Sequence, residues 1–385
     1  MNYIIFSTAD WDNPFWTNKQ HMAKTFEKHG HKVIYVDSLG IRKPKVDKRD
    51  FFRILKRFKS LFKPYTKVSD NIWRVSPFIL PFHSISIIRK FNDIFLSITI
   101  KLLMFVLNYK EYIIWTYSPV SDSVIDKFLP MKVIYHCVDD LSALPNVDKE
   151  NLNRREKNLI SKSDFIFTTS KNLFEYIKPY NKNTFYQNNV CDYEHFSKAK
   201  ENNFELPEDL NDISKPIIVF VGAISSYKVN FDLLSNLTSK HPQWNLVMIG
   251  QIGEGQPETN ISILEKNKNI HMIGPKNYNE IPKYLHFSNA AIIPANINDY
   301  TKSMFPMKFF EYLSSGLQVV STNLDSLKDY ENIAFISKND NEFEKYLENI
   351  IDNNVKRSND EIYNECIKHT WDGRYDTMMK IIGLK

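Results

Sequence analysis

Short apolar runs alternate with helix-patterned segments from the first residues of this chain, and that alternation restricts the fold more than any other feature. Tyr3–Ser7 is an apolar run bounded by polar residues. Asn18–His29 carries a helical pattern that Gly30 ends, and Val33–Val36 is a second apolar run. A β-α-β opening with so short a connection sets its strands in parallel. Further strands are expected at Tyr112–Tyr117, Lys132–His136, Phe165–Thr169 and Thr184–Gln187. A second series starts after Pro216 with IIVFVGA and continues through NLVMIG (245–250), NIHMIG (269–274), AAIIPA (290–295) and LQVVST (317–322). Between the series, 198–215 is polar and rich in Asn, Glu and Asp, which suits a linker. The expected fold class is therefore α/β, with two tandem Rossmann-like doubly wound domains and a ligand cleft between them, where the carboxyl ends of the strands meet. The boundaries read as 1–197, a linker at 198–215, 216–365, and a C-terminal helical segment at 366–385 that crosses back to the first domain.

With 385 residues the chain can bury more than one core, and 14% aromatic content argues against intrinsic disorder. Cys137, Cys191 and Cys366 are odd in number and far apart, so they offer neither a zinc spacing nor a disulfide framework. The N-terminus has no basic segment followed by a long apolar one, and the apolar stretch around Ile94–Leu107 is broken by Lys101. A cytoplasmic protein, peripheral on the inner face of the cell membrane, is expected. The net charge of +5 hides an asymmetry. Residues 1–110 hold 20 Lys and Arg against 8 Asp and Glu, a net of +12, and the remainder nets -7. One half therefore suits an anionic surface.

The segment SMFPMKFFEYLSSGLQVVST (303–322) combines a helix expected over Met307–Ser315, a stop at Gly316 and a buried strand at Val319–Ser321. It resembles the retaining glycosyltransferases of GT-B fold in the glycosyltransferase family 4 (group 1) set, enzymes of bacterial polysaccharide biosynthesis. Their pattern Pro-x-Lys-x-x-Glu-Tyr-Leu-x-x-Gly-x-x-Val-Val is met by Pro306, Lys308, Glu311, Tyr312, Leu313, Gly316, Val319 and Val320. The resemblance implies that Glu311 accepts hydrogen bonds from the donor ribose hydroxyls. It places a second Glu eight residues upstream, where this chain has Ser303. The amides of Ser303, Met304 and Phe305 are then expected to open a helix and to hold a phosphate or sugar oxygen.

VFVGAISSYKVNFDLL (219–234) matches the turn that approaches the donor diphosphate in the same family. Gly222 admits close backbone approach and Lys228 supplies a cation. Many relatives carry Arg after this Gly, and this chain has Ala223. Downstream, Gly274 and Lys276 are expected near the nucleotide base, and Asn298 and Thr301 in the loop facing phosphates and sugar. In the first domain, YHCVDDLSAL (135–144) offers His136, Asp139 and Asp140 near the reacting centre, with helix capping as the alternative for either Asp. STADWDNPFWTNKQH (7–21) offers Asp12, with Trp11 and Trp16 as sugar-stacking or packing residues. No metal-ligand spacing is evident, and the resemblance implies a metal-independent reaction with a nucleotide-sugar, a UDP-sugar first.

IRKPKVDKRDFFRILKRFKSLFKPYTK (41–67) holds 11 Lys and Arg against 2 Asp. Its Phe and Leu residues recur at helical spacing, as in a basic amphipathic helix on an anionic membrane. No groove-binding motif for nucleic acid accompanies it. The expected function is transfer of a sugar, with retention, from the nucleotide-sugar to a lipid-linked (polyprenyl) or other glycan acceptor of a capsule or O-antigen type. Three alternatives stay open: an inverting transferase with an Asp base, a nucleotide-sugar epimerase, and a non-catalytic binding subunit of the same fold.

Overall fold

The computed structural model describes residues 1–41, 63–80, 85–201 and 203–384. It divides into two compact units, Met1–Gln187 and Asn188–Lys385. In the first unit the strands are β1 (Asn2–Phe6), β2 (Lys32–Val36), β3 (Tyr65–Lys67), β4 (Ile72–Val75), β5 (Tyr112–Thr116), β6 (Lys132–Cys137), β7 (Phe165–Thr168) and β8 (Thr184–Tyr186). They form one sheet in the order β3-β4-β2-β1-β5-β6-β7-β8, parallel except for the β3–β4 pair. Helices α1 (Asn18–Lys28), α2 (Ser86–Val106), α3 (Lys149–Lys162) and α4 (Lys171–Ile177) complete it. The strands read as continuous apolar runs because helices cover both faces. Tyr3 of β1 stacks on Phe26 of α1 at 3.8 Å, while Ile4 and Phe6 join Leu96, Ile100 and Leu103 of α2 in one core cluster.

The second unit is a six-stranded, all-parallel sheet in the order β11-β10-β9-β12-β13-β14. Its strands are β9 (Ile217–Val221), β10 (Asn245–Ile249), β11 (Ile270–Met272), β12 (Ala290–Ile293), β13 (Val319–Thr322) and β14 (Phe335–Ser337). Around it lie α5 (Tyr193–Ser197), α6 (Phe231–Lys240), α7 (Ser262–Glu265), α8 (Ile281–His286), α9 (Asp299–Lys302), α10 (Lys308–Ser314), α11 (Asp340–Ile351), α12 (Asn359–Cys366) and α13 (Trp371–Ile381). In both sheets the strand order reverses beside a central strand, between β1 and β5 and between β9 and β12. A parallel sheet opens its ligand crevice at such switch points, beyond the carboxyl ends of the strands. The loops after β1, β5, β9 and β12 are therefore the positions to search.

Several boundaries differ from the expected ones. The units divide ten residues earlier than 197, and 198–215 is packed structure. Ala199 and Leu210 are buried in the second unit's core beside Phe196 and Ile217. The C-terminal helix belongs to that same unit. Cys191 forms a backbone bridge to Thr370, and the Arg374 guanidinium donates to the Asn188 carbonyl. Strands β3, β4 and β14 lie where none was expected. Most of the basic stretch, 42–62, falls outside the described residues, and its end, Tyr65–Lys67, is strand rather than helix.

The ends of β9, β10 and β11 are stitched by backbone. The Gly222 amide donates to Ile249 O at 2.9 Å, and the Gly250 amide to Gly274 O at 3.0 Å. A Cβ on Gly250 would lie 1.8 Å from Gly222 O, a backbone atom that cannot step aside. Gly250→Ala should therefore destabilise the second unit by about 3 kcal/mol or more. Denaturant unfolding with wild-type stability would contradict this.

Candidate functional site

At the second switch point the loops after β9 and β12 lock together. The Asn296 side-chain amide donates to Ser226 O at 2.7 Å and to Val229 O at 3.1 Å. Asn298 donates to Tyr227 O at 2.7 Å, while its Oδ1 accepts from the Thr301 amide and caps α9. Thr301 is buried, and its hydroxyl donates to Asn296 O. Asn298 and Thr301 thus hold the loop instead of presenting free groups to a ligand. What they support is Lys228. Its ammonium lies 5.3 Å from the Tyr227 ring centre and 5.1 Å from that of Tyr300. No carboxylate pairs with it among the described residues. The rings stabilise the cation without neutralising it.

Helix α10 brings the next pair. Glu311 is 1% exposed and forms an ion pair with Lys308, one turn earlier. Burial pushes its carboxyl above the usual range, against the pull of Lys308. The following residue, Tyr312, accepts a hydrogen bond from the Val221 amide at 2.7 Å, which ties α10 to the turn at Gly222.

One expectation about this region changes. Ser303, Met304 and Phe305 do not open a helix, since α9 ends before them and α10 starts at Lys308. The amides of Ser303 and Met304 are spent on Tyr300 O and Thr301 O, both at 3.2 Å. Phe305 is core, within 6.1 Å of Phe309 and 5.8 Å of Phe310. The Lys276 ammonium is engaged by Asp209 and lies over Tyr284, so the base-reading expected here falls to backbone groups. Gly274 keeps its place at the strand end, with its carbonyl occupied by Gly250.

In the first unit the loop after β1 is pinned to the ends of β2 and β4. Asp37 accepts from the Trp11 amide at 2.9 Å, from Arg74 Nε at 2.6 Å and from the Ser76 hydroxyl at 3.0 Å. Arg74 also reaches Asp12 at 3.1 Å, so Asp12 is paired instead of standing as an unengaged base. Burial pushes the Asp37 carboxyl up to about 6, with the charge of Asp10 adding and Arg74 opposing. Trp11 packs on Trp16 and edge-on to Tyr35, the commoner fate of tryptophan. His136 is fully buried among the rings of Trp115, Tyr117 and Phe167, so it serves the core. Asp140 caps the turn at Leu141–Ala143 through the Ser142 amide and hydroxyl. Asp139, beside it, is half-buried.

Residues 202–368 match the family described as Glycosyl transferases group 1. The match spans less than half of the 385 residues. A stretch of 210 residues is 26% identical to a putative teichuronic acid biosynthesis glycosyltransferase, TuaH, of Bacillus subtilis (strain 168). The match covers 51% of this chain and about half the length of that relative. Solved structures agree along the whole chain. Anabaena Alr3699/HepE in complex with UDP aligns with a TM-score of 0.65 at 10% identity, over 99% of each chain. A trehalose-6-phosphate structure from E. coli bound with UDP-2-fluoro glucose aligns at 0.66 with 11% identity, over 99% of each. The fold is GT-B, and the group 1 match includes the Gly222 turn, Lys228 and helix α10.

Asp37 and Arg74 carry no motif that marks them in the sequence. Asp37 stands directly after an expected strand, a position that could have drawn attention. Arg74 lies in an unexpected strand, and nothing local marked it. Among the described residues one cluster has the reach to hold a cation, His241, Glu344 and Glu348, with ligand atoms within 4.8 Å. Lys240 already pairs with Glu344 at 2.7 Å, and a cavity of about 290 Å³ beside it includes none of the expected site residues.

Asp37 yields a pH test. An acid with a raised folded pKa binds its proton more tightly when folded, so its contribution is present at low pH and is lost as pH rises through 6. Relative to Asp37→Asn, the wild type should lose about 2 kcal/mol of stability between pH 4.5 and pH 7. Denaturant midpoints at the two values check this, and a gain at pH 7 would contradict it.

Proposed function

We propose that this protein transfers a sugar, with retention of configuration, from a UDP-sugar to a lipid-linked glycan acceptor in surface polysaccharide synthesis. One observation carries the reading. Lys228 sits at the switch point of the second sheet, unneutralised and held by two tyrosine rings, in a stretch that matches the group 1 family. The structural neighbours bound to UDP and to UDP-2-fluoro glucose support a uridine nucleotide, and TuaH supports polysaccharide synthesis.

In this reading the second unit holds the donor. The diphosphate lies against Lys228 and the turn at Gly222, and the ribose hydroxyls satisfy Glu311. A buried carboxylate with one ion-pair partner keeps lone pairs to spare, and desolvation makes that arrangement costly unless another group completes it. Lys308 exchanges Glu311 for phosphate as the donor enters. As the glycosidic bond breaks, negative charge grows on the leaving diphosphate, and Lys228 and Lys308 stabilise it in place of a metal ion. The acceptor hydroxyl attacks from the face the diphosphate leaves, giving its proton to a phosphate oxygen. The first unit binds the acceptor, with Asp139 and the paired Asp12 nearest in kind to the expected residues. The basic stretch 41–67 meets the anionic inner surface of the cell membrane, where a polyprenyl-linked acceptor resides.

Two substitutions test the donor site. Glu311→Ala should weaken UDP binding by roughly 1.5–3 kcal/mol, the worth of hydrogen bonds to a charged group. Calorimetry on the folded variant decides, and an unchanged dissociation constant would remove Glu311 from the site. Lys228→Ala should lower kcat more than it raises the UDP dissociation constant, because the charge it meets is largest in the transition state. An unchanged kcat with a panel of UDP-sugars would make Lys228 a loop residue only.

A further inference from the structure

Helix α2 has two apolar faces. One, through Leu96, Ile100 and Leu103, is buried in the first unit's core. The other carries Ile87, Phe91, Ile94, Ile98, Leu102 and Phe105, spaced by three or four residues along 21 and between 47% and 86% exposed. Such spacing places all six on one stripe. Leu129 and Met131 are exposed as well. Leu129 is 94% exposed, its amide held by the Tyr112 hydroxyl at 2.9 Å, while its neighbour Phe128 is buried under the Lys101 ammonium. A stripe of six exposed apolar residues along one helix is unusual on a soluble monomer and marks a contact surface.

We propose that this face of α2 inserts into the surface of an anionic lipid bilayer. The inference rests on the membrane partner of the preceding reading and names the element that enters the lipid. Charge selects the occupant. Lys90 and Lys101 are exposed beside the stripe, and Lys110 follows the helix. The one acid on α2, Asp93, is half-buried and faces Ser123 and Arg155. Lysines at the edge of an apolar face lay their stems on it and raise their ammonium groups to headgroup phosphates. A second copy of the chain would bring lysines to lysines, with no exposed carboxylate on α2 to meet them. The helix lies in the interface instead of spanning it, since no helix among the described residues is long and apolar enough to cross a membrane.

The test uses the full chain with phosphatidylglycerol–phosphatidylcholine vesicles. All three native cysteines are buried, so Ile98→Cys accepts an NBD label selectively. Its emission should rise severalfold with these vesicles and little with phosphatidylcholine alone. The triple variant Ile94→Asn, Ile98→Asn, Leu102→Asn should lose at least tenfold of its vesicle partition while keeping the parent's UDP-induced thermal shift. If the parent pellets with vesicles but the label stays dark, the membrane reading stands and the α2 inference falls. If the parent does not pellet, both fall. If light scattering shows a dimer that the triple variant dissolves, the face pairs copies of the chain and the inference is overturned.

Discussion

The hydroxyl of Tyr312 sits on the backbone of Val221, and the proposed donor end of the second unit depends on that contact. Val221 is the last residue of β9, beside the reversal of strand order. A buried amide there must find a partner, and the sheet ladder does not provide it. By accepting from it at 2.7 Å, Tyr312 fixes where helix α10 lies against the turn at Gly222. Gly250 then lets the β9 and β10 ends approach as closely as the turn requires. Glu311, Lys308 and Lys228 all take their positions from this small framework.

The charged groups around it are handled in two ways. Lys228 is kept as a cation by rings that attract it without cancelling its charge, and its loop is braced by Asn296 and Asn298. Glu311 is buried against a single lysine. Desolvating such a pair commonly costs more than its attraction returns, so its presence makes sense where a ligand completes the hydrogen bonding. The first unit shows the same economy at Asp37, where three donors converge on one buried carboxylate and Arg74 links it to Asp12.

The fold was legible where strands are buried on both faces, because IIVFV or YIIWT has few other destinies in a chain of this pattern. Ile72–Val75 escaped because Arg74 interrupts its apolar run, and Phe335–Ser337 because it is three residues long. The packing of 198–215 rests on isolated residues such as Ala199 and Leu210, which a polar composition conceals. In the site, the helix carrying Glu311 was readable from its spacing. The roles of Lys276 and His136 were not, since one depends on Asp209, 67 residues away, and the other on rings from two neighbouring strand segments. For Asp140, capping and catalysis call for the same residue at the same place, and only geometry separates them.

The central claim is that a uridine diphosphate binds at the second switch point, against the loops after β9 and β12 and the start of α10. Hydrogen–deuterium exchange of the full chain with and without UDP measures this most directly. The account predicts slower exchange in 222–230, 296–304 and 308–316, with the rest of the second sheet unchanged. Binding of UDP that leaves these three segments as they were, with protection appearing elsewhere, would contradict it.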